Sequence, residues 1–172
     1  VYKRQDKVSQ SREQEIESIN AANEIISTST EGLKNSLQLA RLDSEAFDEV
    51  MKSYRLPKNS DIEKDKRIIS IRQSTINAAK TPLSIVKECS ALLETTKELC
   101  LEGNLNAITD LMSSVELAYS ASKIASYNVK INLDSLSDEY SLDLSQELDS
   151  YMEIIKLRFE ENISILEERL GW

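Results

Sequence analysis

The sequence predicts an all-α protein, a bundle of about five helices, on three observations. Apolar residues recur every three or four positions along nearly the whole chain, which is the period of a helix with one buried face. The 172 residues include only 3 Gly and 2 Pro, so the chain lacks the turn residues that a sandwich or barrel of hairpins needs. Apolar residues make up 40% and charged residues 30%, a balance typical of a folded domain with a buried core.

The first predicted helix begins near residue 7 and ends near Tyr54. Residues 7–31 are polar with a few isoleucines, and Gly32 is a position where the helix could be interrupted or kinked. An apolar stripe resumes at Leu33. Leu56 precedes a proline, and because such a residue avoids the α region, the helix must end before it.

The second predicted helix begins at a capping box, in which Ser60 and Glu63 each accept a hydrogen bond from the other's backbone amide. It extends to about Lys80. The pair Thr81-Pro82 is open to two interpretations: the start of a new helix with Pro at its first position, or a kink in one continuous helix. Gly103 stands where a left-handed residue would end this segment.

Two further helices are predicted. One covers residues 105–127 and has a face of small residues, and residues 128–136 form its end or a turn. The other covers about 140–169, with apolar residues at nearly heptad spacing. Residues 6–172 contain no repeat or linker and are predicted to be one domain. Residues 1–5 resemble the translation of a sequencing adaptor, and we predict that they are a scar and not natural protein.

Several function classes are excluded by what the sequence lacks. It has no His, which excludes Ser-His-Asp and Cys-His catalysis and imidazole-dependent metal sites. Its 21 basic and 30 acidic residues give a net charge of −9, which argues against a nucleic-acid partner. Cys89 and Cys100 would lie about 16 Å apart on a helix, too far for a disulfide, so we predict reduced thiols in a cytoplasmic protein. No run approaches the roughly 20 apolar residues of a membrane span.

Two stretches of the first half carry charged side chains in positions suited to chemistry. Asp43 and Phe47 are four residues apart and share a helix face, which sets a carboxylate beside an apolar stripe. In a dry pocket the pKa of that carboxyl would rise and suit it to proton transfer; the alternative is a solvated helix acid. Lys58 follows a rigid turn and is either an anion-binding cation or an ordinary surface lysine.

Two stretches of the second half carry carboxamides. Asn106 and Asp110 share a helix face and are either cap residues or a pair that reads the donor and acceptor edges of a heterocycle. Asn128 and Asn132 share a face in the same way. A buried Asn needs hydrogen-bond partners, which here are either helix-end carbonyls or a ligand. From the residues alone, the interpretation ends at an acidic helical bundle.

Together and in order, these stretches resemble the cyclodeaminase/cyclohydrolase family, which comprises the C-terminal domain of formiminotransferase-cyclodeaminase and stand-alone methenyltetrahydrofolate cyclohydrolases. The resemblance covers roughly residues 7–170. Each motif alone is weak, and five in register are specific. The matching segments are Leu-Asp-Ser-Glu-Ala-Phe at 42–47, Tyr-Arg-Leu-Pro-Lys at 54–58, Thr-Pro-Leu at 81–83, Gly-Asn-Leu-Asn-Ala-Ile-Thr-Asp at 103–110 and Asn-Val-Lys-Ile-Asn-Leu at 128–133.

The resemblance implies an all-α dimer that acts on tetrahydrofolate derivatives. Its members close 5-formimidoyltetrahydrofolate to 5,10-methenyltetrahydrofolate and expel ammonia, or open the methenyl ring with water. We expect the cyclodeaminase reaction, with cyclohydrolase as the alternative and a non-catalytic interaction bundle as a second alternative. No permanently bound cofactor and no metal are implied, because the tetrahydrofolate derivative is itself the substrate. A homodimer is the expected assembly, with a formiminotransferase as a further partner.

By motif position, the resemblance implies that Asp43 is the general acid/base. It implies substrate contacts or pocket ordering for Lys58, Asn106, Asp110, Asn128 and Asn132. In two respects the sequence departs from the family pattern. Arg41 stands where many members have a second acidic residue, and no Pro-Gly-Gly-Gly-Ser-like segment precedes Lys7. We therefore expect this chain to lack the family's N-terminal helix and to be impaired or inactive as it stands.

Overall fold

The computed structural model describes residues 2–136 and 139–172, so Val1 of the predicted scar lies outside the described part. Within that part all the regular secondary structure is helical and there is no strand, which confirms the all-α prediction. Four α-helices are present instead of about five. They are α1, Tyr2–Tyr54; α2, Asp61–Glu102; α3, Ile108–Leu133; and α4, Glu139–Leu170, with a short 3-10 turn at Leu105–Ala107.

The chain divides into two units along α1. The first ends at Lys34 and is a single helical segment. The second, Asn35–Trp172, contains the rest of α1 and the whole of the core. Gly32 does not interrupt the helix. The domain boundary predicted between residues 5 and 6 stays a prediction.

The first turn of α2 forms as the sequence predicts. The Glu63 amide donates to Ser60 Oγ at 3.3 Å, and the Ser60 amide donates to Glu63 Oε2 at 3.2 Å. This capping box satisfies two backbone donors that have no partner within the helix.

The prediction of a left-handed Gly103 is wrong. This residue has φ −59° and ψ 160°, an extended backbone that any residue adopts. Its amide donates to the Leu99 carbonyl at 2.8 Å, and a Cβ at this position would collide with that carbonyl oxygen. Glycine is needed here because the backbone passes close to the end of α2. The connection then continues through the 3-10 turn, so α3 begins at Ile108 and extends to Leu133, beyond the predicted end at 127.

The core lies among α2, α3 and α4. Its fully buried large side chains include Leu93 of α2, Val115 and Val129 of α3, and Leu148 and Ile155 of α4. The heptad spacing predicted for the last helix places these α4 residues on one buried seam. Asn162 occupies the next heptad position after Ile155, and it is as buried as its apolar neighbours.

Two arginine side chains of α4 form hydrogen bonds to α2, at two positions along the helices. Arg158 Nη1 donates to the Ser90 carbonyl at 3.1 Å, and its other terminal nitrogen pairs with Glu94. Arg169 donates to the carbonyls of Cys100 and Gly103. These carbonyls belong to the end of α2 and have no partner in the helix, so Arg169 acts as a C-terminal cap supplied by another helix.

Candidate functional site

Two side-chain contacts fix the register of α1 on α2. Asn35 Nδ2 donates to Glu88 Oε1 at 3.3 Å, and the hydroxyls of Ser53 and Ser70 lie 2.8 Å apart. The two helices therefore run antiparallel. In this register Asp43 lies level with position 80 of α2.

An open groove runs between α1 and α2. It consists of two adjoining cavities of ≈ 470 Å³ and ≈ 420 Å³ that share Ala46, Glu49 and Asn77 in their walls. Each volume lies in the range of roughly 300–1,000 Å³ that is typical of small-molecule sites. The remaining wall residues are Leu42, Glu45, Asp48, Lys52 and Ser53 on α1, and Lys66, Ile69, Ser70, Gln73, Ser74 and Thr81 on α2.

The groove offers donors and acceptors of several kinds. Gln73 Nε2 donates to Asn77 Oδ1 at 3.3 Å, which leaves one amide hydrogen of Gln73 and both amide hydrogens of Asn77 for a ligand. Glu49 forms an ion pair with Lys52, with 2.6 Å between Oε1 and Nζ. Lys66 lines the 470 Å³ cavity and has no ion-pair partner among the described residues. Such a groove suits a ligand with hydrogen-bonding edges and a carboxylate.

Asp43 lines neither cavity of this groove. Leu42 and Glu45, its neighbours in the first motif, line the 420 Å³ cavity. Asp43 itself is exposed and lies about 100° further around α1 than Leu42. The dry pocket expected around Asp43 is therefore not formed by the described residues. Arg41 forms an exposed ion pair with Glu45, with 3.4 Å between Nε and Oε1.

Asn132 has an identified partner on α2. Its Nδ2 donates to the Ala78 carbonyl at 3.2 Å and to the Asn128 carbonyl at 2.9 Å. Pro82 has no amide hydrogen to give to Ala78, four residues earlier, so that buried carbonyl would otherwise have no partner. Asn132 replaces the missing bond, which explains how α2 continues through Pro82 as one helix. Of the two interpretations left open for Thr81-Pro82, the continuous helix is the one observed.

This explanation predicts a coupling between two residues of different motifs. Asn132→Ala is expected to reduce the free energy of unfolding by about 1–3 kcal/mol, since it leaves the Ala78 carbonyl without a partner. In a Pro82→Ala background the residue-82 amide bonds to that carbonyl, so the loss from Asn132→Ala should shrink by about half or more. Urea unfolding of the four proteins in this double-mutant cycle measures the coupling. Strictly additive losses would contradict the proposed replacement.

The other predicted site residues lie elsewhere. Asn106 and Asp110 are exposed near the start of α3, and Asp110 is about 33 Å along that helix from Asn132. The Asn106 amide donates to Asn104 Oδ1 at 2.9 Å, the cap interaction that was one of its two predicted roles. Lys58 is exposed in the loop before α2, at least about 28 Å along that helix from the level of Asp43. Within one chain, Asn132 contacts α2 at Ala78, close to the level of Asp43 on α2, whereas Asn106, Asp110 and Lys58 lie at other levels.

The α2 wall of the groove consists of residues that were not predicted as site residues. Ser70, Ser74, Asn77 and Thr81 recur at three- and four-residue spacing on one side of α2. A polar stripe of this kind, on a helix whose other side is apolar, was the available signal. It indicates a face turned toward a polar cavity and not toward the core.

Cys89 and Cys100 are buried free thiols, and burial raises the pKa of each to about 11. At pH 8 only about 0.1% of each would be the reactive thiolate. We therefore expect almost no reaction of the folded protein with a thiol reagent at pH 8. In denaturant, two thiols per chain are expected to react with the reagent. In the folded protein, the rate of this reaction should rise about tenfold per pH unit up to pH 10. Rapid labelling of the native protein at pH 8 would contradict the assignment.

Neither a membrane span nor a metal cluster is found among the residues that the structure describes. No helix there is long and apolar enough to cross a membrane. Among those same residues, no group of three or more His, Cys, Asp or Glu side chains is placed to hold a metal ion.

The fold and the groove define an all-α protein with a polar inter-helical site and without imidazole. The sequence profile of the formiminotransferase-cyclodeaminase family matches residues 6–150, and the chain belongs to that family. It is 36% identical over 110 residues to a methenyltetrahydrofolate cyclohydrolase of Methylorubrum extorquens, covering 63% of this chain and 53% of that protein. It is 29% identical over 128 residues to the formimidoyltransferase-cyclodeaminase of Gallus gallus, covering 74% of this chain and 24% of that protein.

A solved structure has the same fold. The crystal structure of formiminotetrahydrofolate cyclodeaminase from Thermotoga maritima superimposes with a TM-score of 0.71 at 26% sequence identity, covering 83% of this chain and 67% of that one. The chain thus spans about half the length of the similar cyclohydrolase and about a quarter of the chicken protein.

Proposed function

We propose that the protein acts in tetrahydrofolate one-carbon metabolism as a formimidoyltetrahydrofolate cyclodeaminase. One observation carries the proposal: three family motifs meet at the same level of α2. Leu42 of the first motif and Thr81 of the third line one cavity, and Asn132 of the fifth bonds to Ala78 beside them. Helices that served only as an interaction bundle would have no reason to bring these segments together beside a polar groove.

The reaction needs proton transfers at nitrogen and little else. Ring closure proceeds through a tetrahedral carbon between N5 and N10 of the folate, and ammonia then leaves. A carboxylate suffices to take the proton from N10 and to deliver one to the departing nitrogen. Asp43, the chain neighbour of the groove residue Leu42, is the residue that we propose for this role. The carboxamides of Gln73 and Asn77 supply donors and acceptors for the pterin edge.

Methenyltetrahydrofolate cyclohydrolase activity is the second candidate. The 36% identity to a protein of that name favours it. Both activities pass through the same tetrahedral intermediate, which collapses by losing ammonia in one case and opens after addition of water in the other. The same carboxylate would serve both.

Absorbance of the 5,10-methenyl chromophore separates the candidates. The cyclodeaminase proposal expects the chromophore to form from 5-formimidoyltetrahydrofolate, with one ammonia released per ring closed. A cyclohydrolase would instead accelerate the loss of added methenyltetrahydrofolate and release no ammonia. If neither rate exceeds that of buffer, for this chain or for one extended with the family's N-terminal segment, the enzyme proposal is wrong.

The remaining assignments follow from this proposal. We propose a folate substrate without a permanently bound cofactor, a homodimer, and a formiminotransferase as the source of the formimidoyl group. Two buried free thiols support a reducing, cytoplasmic location. Lys58, Asn106, Asp110 and Asn128 keep their proposed roles toward the substrate, and Asn132 acquires a structural one beside it.

A further inference from the structure

The part of α1 that lies along α2 is held by polar contacts at its two ends. At one end Asn35 donates to Glu88 at 3.3 Å. At the other end the hydroxyls of Ser53 and Ser70 lie 2.8 Å apart. Between these ends, the side chains on the same side of α1 are only half-buried, and none belongs to the described core. They are Leu39, Leu42, Ala46 and Val50. The groove occupies this middle part, so its width depends on what holds the ends of the helix.

Arg67 of α2 makes a further contact at the end of α1. Its Nε and Nη2 both donate to the carbonyl of Tyr54, at 3.3 Å and 3.1 Å, and its guanidinium lies over the Tyr54 ring, 5.6 Å from the centroid. Tyr54 is the last residue of α1, so its carbonyl has no partner within the helix. The two carbonyls before it accept from amides of the turn that follows. Arg67 thus completes the hydrogen bonding of this helix end and ties it to α2.

We propose that Arg67 is a positioning residue for the groove: it sets how closely α1 lies to α2 and thereby the affinity for the substrate, an inference that rests on the proposed function. Its chain neighbour Lys66 and Ser70, one turn further along α2, both line the 470 Å³ cavity. Arg67 itself lines neither cavity, so its effect on a ligand passes through the position of α1. Arginine suits this role, because its fork of donors and its flat face engage a carbonyl and a ring together.

Loosening this contact should weaken binding without changing the chemistry. If α1 leaves its position for part of the time, only the molecules with a formed groove bind, and the apparent dissociation constant rises by the inverse of their fraction. A bound substrate holds both walls of the groove, so the reaction proceeds from the same arrangement. We therefore expect Arg67→Met to raise KM about tenfold and to leave kcat within about threefold of wild type. Arg67→Lys keeps the charge but not the fork, so its KM should lie between the two.

Arg55→Met is the matched control for this experiment. Arg55 lies in the turn that follows α1, is exposed, and makes no side-chain hydrogen bond or ion pair among the described residues. Its replacement makes the same change in net charge beside the same helix end, so it should leave KM and kcat unchanged. An equal rise in KM for Arg55→Met and Arg67→Met would show that only the lost charge matters, and it would overturn the proposal.

A cross-link tests the position of α1 without relying on activity. Ser53→Cys combined with Ser70→Cys puts two thiols where the hydroxyls lie 2.8 Å apart, within reach of a disulfide. The rate of its formation on mild oxidation reports how often the end of α1 lies on α2, while the native thiols are buried. Adding Arg67→Met should slow this rate several-fold. Once formed, the disulfide holds α1 in place of Arg67, so the KM of this variant should return to that of the oxidised protein that retains Arg67.

The two measurements can fail separately. A rate of disulfide formation that Arg67→Met leaves unchanged, or a KM that stays high after oxidation, overturns the positioning role, because the effect of Arg67 would not then pass through α1. If wild type turns over neither folate derivative, the proposed function is wrong. The rate of disulfide formation then decides by itself whether Arg67 positions α1.

Discussion

Asp43→Asn is expected to lower the rate of the folate reaction by about 10²–10⁴-fold, the usual contribution of a positioned general acid/base. Asparagine keeps the shape of the side chain but neither accepts nor releases a proton at neutral pH. Because Asp43 is exposed on α1, its replacement should leave the fold intact. The decisive measurement is the initial rate of the methenyl absorbance change over a range of substrate concentrations, which gives kcat and KM separately. A loss in kcat with little change in KM is the expected signature.

Asp65→Asn is the matched control for this experiment. Asp65 is an exposed aspartate of α2 that lines neither cavity of the groove. Its replacement makes the same change in net charge, so it should leave the rate unchanged. Equal losses in both variants would indicate a general electrostatic effect, and full activity in Asp43→Asn would remove Asp43 from the mechanism.

Asn162→Asp is expected to destabilise the fold by about 3–5 kcal/mol at pH 7, a large part of the 5–15 kcal/mol typical of a domain. The Asn162 amide is 1% exposed and donates to the Leu93 carbonyl at 2.9 Å and to Thr96 Oγ1 at 3.4 Å. A carboxylate there would face a carbonyl oxygen without donating to it. Burial would therefore raise the pKa of the introduced carboxyl above its unfolded value of about 3.9.

The sign of the pH dependence follows from that shift. Below about pH 4 the introduced group is protonated in both states and donates as the amide does, so little stability is lost. As the pH rises, the unfolded chain releases its proton and the folded one retains it, so the loss grows by about 1.4 kcal/mol per unit until the folded pKa is reached.

Urea unfolding of wild type, Asn162→Asp and Asn162→Leu at pH 4 and pH 7 measures this effect. Asn162→Leu removes the same donor without adding a charge, so its loss should be nearly the same at both pH values. A loss in Asn162→Asp that is also independent of pH would show that water reaches the site.

Much of the fold could be predicted because its signals are local. The capping box needs only Ser60 and Glu63, and the heptad of α4 needs only its own side chains, so both are readable from the sequence. Gly103 was mispredicted because its requirement comes from the approach of the Leu99 carbonyl and not from its own φ. The course of the chain at Pro82 stayed open because the bond that replaces the missing one comes from Asn132, which is distant in sequence.

The candidate site was predicted in part for the same reason. The motifs identified the residue types, but their spacing could not reveal that Asn106 and Asp110 lie far along α3 from Asn132. Lys66, Gln73 and Asn77 were missed because they become a groove wall only when α1 lies against α2.

By itself, the sequence determined the all-α class, the absence of imidazole chemistry and the family resemblance, because periodicity, composition and motifs are properties of the chain alone. The tertiary structure decided the rest: that α2 continues through Pro82, that Asn162 is buried in the α4 seam, and that three motifs meet at one level of α2. These features depend on the register between helices. Register is fixed by contacts such as Ser53 with Ser70, whose partners no local pattern identifies.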